Sequence, residues 1–143
     1  MEIQVATLCD SAIENNGKLY VWGTFDTICA ERVPIMHPQC AFAMRICFQA
    51  GDEGEHELVI RFIDEDGKAR FELPPARIRV ELPRDAYFLT RNQVLNIKGL
   101  PFERTGQYSL DVLIDGEMLT RIPLRVMLVG KQRPGGEEKK ATE

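Results

Sequence analysis

Hydrophobic and polar residues alternate with a period of two along most of this chain. Leu58, Ile60 and Phe62 alternate with Glu57, Val59 and Arg61, and Arg77-Ile78-Arg79-Val80-Glu81-Leu82 repeats the pattern without a break. Successive side chains of a strand point to opposite faces, so this alternation predicts strands with one buried face. Further on, Tyr108, Leu110, Val112 and Ile114 share one parity, and Ile122, Leu124, Val126 and Leu128 form a second such run. Asp115-Gly116 between them tolerates the positive φ of a type I′ turn and predicts a hairpin. The same reading places strands near residues 3–9, 19–25, 41–48 and 88–98, for a total of about eight.

The punctuation agrees with that reading. Asn15-Asn16-Gly17, the glycines at 51 and 54, Asp66-Gly67, Pro74-Pro75 and Pro83 each interrupt a run. No stretch of helical length carries a 3.6-residue period, although residues 29–32 or 84–87 have room for a single helical turn. Many short strands with regularly spaced turns predict an all-β domain, and strict alternation favours a β-sandwich of mostly antiparallel strands, each sheet having one face on a shared core. Residues 1–129 form that domain. From Gly130 onward the sequence offers nothing to bury, so residues 130–143 are expected to be a disordered tail.

Composition narrows the class of partner. The 143 residues carry 18 Lys plus Arg against 22 Asp plus Glu, a formal net charge of −4. The tail holds four cations and three acids, which leaves the domain at −5. Duplexes and anionic membranes are held by clustered cations, so neither nucleic acid nor membrane is an expected partner. The opening residues have no basic segment followed by an apolar run and do not read as a signal peptide. The expectation is a cytoplasmic protein whose four cysteines, Cys9, Cys29, Cys40 and Cys47, stay as free thiols.

One segment resembles a known architecture. Thr105-Gly106-Gln107-Tyr108-Ser109-Leu110 is similar to the Gly-x-Tyr run of immunoglobulin-like sandwiches, where the Tyr hydroxyl ties a corner to nearby backbone. Leu110 stands where an antibody domain has its second bridging cysteine, and Trp22 lacks flanking cysteines, so the resemblance is to the architecture alone. Over most of the chain, Leu8-Cys9-Asp10, Gly17-Lys18-Leu19, Gly23-Thr24-Phe25-Asp26 and the Gly106 to Gly116 hairpin resemble a family of small bacterial proteins of unassigned function. That resemblance implies an immunoglobulin-like β-sandwich and transfers no activity.

Candidate chemistry is sparse. His37 and His56 are the two histidines, and His37-Pro38-Gln39-Cys40 is the one short His/Cys spacing. A zinc site needs about four ligands, typically in close pairs, so Cys9, His37 and Cys40 would have to meet in space; buried core thiols are the plainer reading. No cofactor is expected. Ser11 and Ser109 lack a nucleophile-elbow context, and no cysteine-enzyme signature is present, so the chain is expected not to be an enzyme. Asp64-Glu65-Asp66-Gly67 reads as a polar turn, since a calcium loop of the EF-hand type needs flanking helices.

Two surface features remain. Arg77 with Arg79, and Arg121 with Arg125, share strand faces, and either pair is a candidate anion or partner patch; the plainer reading is a solvated sheet face, favoured by acids such as Glu81 and Asp111 on neighbouring strands. Tyr20, Trp22 and Thr24 have the opposite parity from Leu19, Val21 and Phe25. They either line a surface groove or belong to a central strand buried on both faces, which is the favoured reading. The expected function is therefore a protein-interaction or self-associating module, a homo-oligomer built on exposed strand edges, with the stretch around Pro123 as one such edge. The alternative is a small-ligand or carbohydrate binder that uses Tyr20 and Trp22 as a stacking platform.

Overall fold

The computed structural model describes residues 1–130, and the tail expected beyond them lies outside the described residues. Ten strands follow in chain order: β1 (Glu2–Asn15), β2 (Lys18–Phe25), β3 (Thr27–Ala30), β4 (Ile35–Gln49), β5 (Gly54–Ile63), β6 (Ala69–Glu72), β7 (Ala76–Val80), β8 (Phe88–Phe102), β9 (Gly106–Ile114) and β10 (Glu117–Leu128). One sheet has the order β2-β1-β4-β8, and the other β3-β10-β9-β5-β6, with β7 continuing along β5 beyond β6. All pairings are antiparallel except β3 with β10.

Two strands exceed the expected eight. β3 takes in residues 29 and 30 of the stretch 29–32 that had room for a helical turn, because Cys29 and Ala30 pair with Met127 and Leu128. β6 is the other; its Phe71 opposite Phe62 continues the sheet past the Asp66-Gly67 turn. Residues 84–87 form a tight turn instead of a helical one, with Ala86 N–H donating to Pro83 O and Asp85 at φ 66°.

The core lies between the two sheets. On β4 it takes the even positions Cys40, Phe42, Met44, Ile46 and Phe48, against Leu58, Ile60 and Phe62 of β5 and Leu110, Val112 and Ile114 of β9. These are the positions that period-two reading assigns inward, and each large apolar side chain so buried contributes about 1.5–3 kcal/mol.

Strand β1 departs from a plain sandwich. Glu2 to Cys9 pairs with β4 and Leu8 to Asn15 with β2, so Leu8 and Cys9 bridge both neighbours and the residues from Ser11 to Asn15 pair with β2 alone. The change of partner occurs beside Gly23, whose φ of 68° and contact with the Asp10 carboxylate leave no room for a Cβ. From there the β1–β2 hairpin folds back over the outer face of its own sheet. Its turn, Asn16-Gly17 with both residues at positive φ, rests on Arg45 and Asn92: Arg45 Nη1 and Asn92 Nδ2 donate to Gly17 O at 3.1 and 3.2 Å. Beneath it a second small core forms from Cys9, Ala12, Ala41 and Ala43, packed by Leu19, Val21 and Val94. Alanines at 41 and 43 fit that position because a larger side chain would hold the hairpin off the sheet.

Candidate functional site

Folding the hairpin inward on Ala12, Leu19 and Val21 turns the alternate residues outward. Ile13 and Tyr20 are opposite each other in the ladder, as are Ser11 and Trp22. Ile13, Tyr20 and Trp22 are 49%, 40% and 52% exposed. The Tyr20 and Trp22 rings are stacked, with centroids 6.3 Å apart and planes inclined by 17°. The expectation of a central strand buried on both faces is thus corrected: β2 ends its sheet, its inward face is covered by its own sheet and its outward face is open. Ile13 was not among the sequence candidates. The Asn-Gly turn carried the signal, since a two-residue type I′ loop sets 15 opposite 18 and hence 13 opposite 20.

The arginine patch does not assemble. Arg77 and Arg79 on β7 both bond the Glu55 carboxylate, and Arg79 also bonds Glu81 at 2.8 Å. On the far side of β5 and β9, Arg121 holds Asp111 with two bonds of 2.9 and 2.8 Å. Asp111 is 3% exposed although it lies on an outer sheet face, and the Arg121 guanidinium holds its carboxyl below the usual range, helped by the Ser109 hydroxyl. Arg61 opposite Asp111 pairs in turn with Glu72, so charges alternate in sign across β6, β5, β9 and β10. Arg125 lies opposite Gln107 of β9 and Thr27 of β3, away from the Arg77–Arg79 pair.

Cys9 lies in the small core under the hairpin, with Cys40 near it. Cys9, buried, donates weakly to Ala41 O at 3.5 Å, and His37 packs on the Phe25 ring with centroids 5.6 Å apart. Burial, with Cys9 and Asp10 nearby, pushes the Cys40 thiol up to about 11, the opposite of nucleophile activation. Among the described residues no three His, Cys, Asp or Glu side chains converge as a metal would need.

Two polar clusters fix the ends of the sandwich. At the β5–β6 turn Asp64 accepts from the N–H groups of Asp66 and Lys68 and from Arg70 Nε, which holds its carboxyl below the usual range, the Lys68 N–H first and Arg70 next. Its oxygens are occupied by donors, as a structural turn requires. At the other end His56 stacks on Phe48 and places Nδ1 2.6 Å from the Asp115 carboxylate and Nε2 2.6 Å from Asp52 O. Both nitrogens face acceptors, an arrangement that favours the doubly protonated ring, and the Asp52 carbonyl, then Asp115, raises its pKa.

At the start of β9, Tyr108 Oη donates to Arg104 O at 2.7 Å, and the ring packs edge-on against Phe102. Two packed sheets, a final β9–β10 hairpin and this tyrosine corner define an immunoglobulin-like β-sandwich. The chain belongs to DUF6941, a family of unknown function, whose profile matches residues 4–127. Among solved structures it is similar to an immunoglobulin-like protein, PA1606, from Pseudomonas aeruginosa, with 13% identity over 87% of this chain and 94% of that one and a TM-score of 0.34. No curated protein matches it.

Proposed function

We propose that this protein is a non-enzymatic interaction module that docks a partner protein on the outward face of the β1–β2 hairpin. The observation that carries the reading is the cluster of Ile13, Tyr20 and Trp22, each 40% exposed or more, on a hairpin whose other face is anchored to the sheet. Contiguous exposed apolar side chains mark interaction surfaces, and Trp and Tyr supply much of the energy where proteins meet. The hairpin is raised above the sheet rather than sunk in a cleft, which suits a broad partner better than a small ligand. As part of the same proposal the protein works in the cytoplasm, a reading supported by four cysteines that remain unpaired.

The test is affinity capture from the source cells with wild-type protein and with Trp22→Ser, alongside light scattering of both. A partner, or a second copy, held by the wild type and lost with Trp22→Ser supports the reading. Identical captures, or none, overturn it. The stacked pair favours one second reading, a carbohydrate laid on the two rings; Trp22-dependent binding on a glycan array, with no protein captured, would replace the first reading by this one.

A further inference from the structure

We infer that the groove at the foot of the hairpin seats a carboxylate of an acidic polypeptide segment, with Arg45 as its anchor. This rests on the hairpin as the docking face and names what the partner brings to it. The groove, about 400 Å³, runs between the first half of β1 and the folded-back β2, and its walls include Val5, Lys18, Tyr20, Val21 and Arg45. Tyr20 belongs to both the groove and the outward platform, so the two surfaces are continuous.

Among the strand arginines of the described residues, Arg45, Arg91 and Arg125 pair with no carboxylate, and of these three Arg45 lines the groove. Arg61, Arg70, Arg77, Arg79, Arg104 and Arg121 each pair with a carboxylate. Arg45 instead donates to three neutral acceptors, through Nε to Gln4 Oε1 at 3.0 Å and through Nη1 to Gly17 O and Asn92 Oδ1 at 3.1 and 2.9 Å. Those bonds fix the guanidinium plane without neutralising its charge, and among the described residues Nη2 has no hydrogen-bond acceptor. Lys18 adds a second cation, and no acid lines the groove. The nearest acid of the hairpin, Glu14, uses one carboxylate oxygen to accept from Gly17 N–H at the turn. A fixed, unneutralised guanidinium with donors to spare is arranged for a planar anion, and a carboxylate matches its fork. The apolar walls and the open shape call for an extended chain carrying hydrophobic residues beside its acid.

The probe is a phage-displayed random peptide library selected on the full chain, with binding of the selected peptides then measured to variants. The expected result is enrichment of Asp or Glu next to aromatic or aliphatic residues. Affinity should fall about ten-fold for Lys18→Glu, which places a carboxylate at the exposed turn, and for Arg45→Gln, the loss of one charged pair being worth about a factor of ten or more. Lys18→Glu touches no bond that holds the hairpin, so it remains informative if Arg45→Gln loosens the fold. Peptides without acidic bias whose affinity is unchanged by Lys18→Glu but lost in Trp22→Ala overturn the carboxylate site and leave the docking face standing. Peptides whose affinity is unchanged by both Lys18→Glu and Trp22→Ala overturn both.

Discussion

Replacing Ala43 by Leu tests the hairpin geometry on which the functional reading depends. Ala43 lies on the outer face of β4, in register with Thr7 of β1 and Val94 of β8, and is 0% exposed. On an uncovered outer face, Ala→Leu is a surface change within about 0.5 kcal/mol of neutral. Under the hairpin it adds three carbon atoms between Ala41, Val94 and the Leu19 and Val21 side chains, a set packed as a small core. Such overpacking costs about 1–3 kcal/mol. For a domain of this length each kcal/mol lowers the melting temperature by about 3–5 °C, so the expected drop is about 3–15 °C. Urea denaturation followed by circular dichroism measures the loss. Asn96→Leu, exposed on the neighbouring strand opposite Ala41, is the control and should change stability by less than about 0.5 kcal/mol. Amide exchange at Leu19 and Val21 should quicken in Ala43→Leu alone. Equal stability of the two variants would refute the folded-back hairpin and, with it, the origin of the exposed platform.

Three further outcomes follow from the polar clusters. His56 has a folded pKa raised above its ordinary 6.5, so its contribution is complete below about pH 6.5 and is lost as pH rises through the folded value; Asp115 is lowered from 3.8, mainly by the Glu57 N–H and His56, and its contribution is lost on acidification. Stability should therefore peak between about pH 4 and 6.5, and urea melts of His56→Gln from pH 5 to pH 9 should lose the alkaline decline; an unchanged profile would assign that decline elsewhere. Tyr108→Phe removes only the hydroxyl bonded to Arg104 O and should cost about 1 kcal/mol in urea melts, against a larger loss for Tyr108→Ala; no difference between Phe and Tyr would mean the corner bond contributes nothing. With a thiol reagent at pH 8, Cys29 should react in the native protein while buried Cys9, Cys40 and Cys47 wait for denaturant; more than one fast thiol would contradict their burial.

Most of the fold is legible because burial on one face writes a period of two into the sequence. Leu58-Ile60-Phe62, Ile78-Val80 and Leu110-Val112-Ile114 all sit in the core where their parity put them. β3 and β6 were missed for a physical reason: each has four residues, too few to establish a period, and each is held by a neighbour distant in sequence. The parity of Tyr20 and Trp22 was also legible, but the surface beneath them was not. It depends on β1 changing partners at Cys9, a tertiary event with no local signature beyond Gly23. Acids near the arginines, Glu81 and Asp111, were legible in the sequence, but which arginine each would hold was not, and Glu55 as a shared partner of Arg77 and Arg79 needed the β5–β7 register. The His56 latch is least visible of all, joining residues 52, 56 and 115 that only the finished fold brings together.

The strand edges argue for association through side chains instead of backbone pairing. β8 leaves all fifteen residues unpaired on one side among the described residues, but its charges are Arg91 and Lys98 with no acid, and Pro101 cannot donate. Cations and prolines are the residues that blunt an edge against strand addition. β10 is open only before Arg125, where Pro123 interrupts the donors, and β3 and β6 are four residues long. β2 is bent at Gly23, which breaks the flat edge a new strand would need. The outward side chains of the hairpin, Ile13, Tyr20 and Trp22, are therefore an apolar surface open to a partner without strand addition. This predicts a sharp distinction between two modes of binding: a partner added as a strand would keep its main-chain bonds in Trp22→Ala, whereas a partner seated on Ile13, Tyr20 and Trp22 would lose its central contact, about 2 kcal/mol or more at a hot spot and so well over ten-fold in affinity.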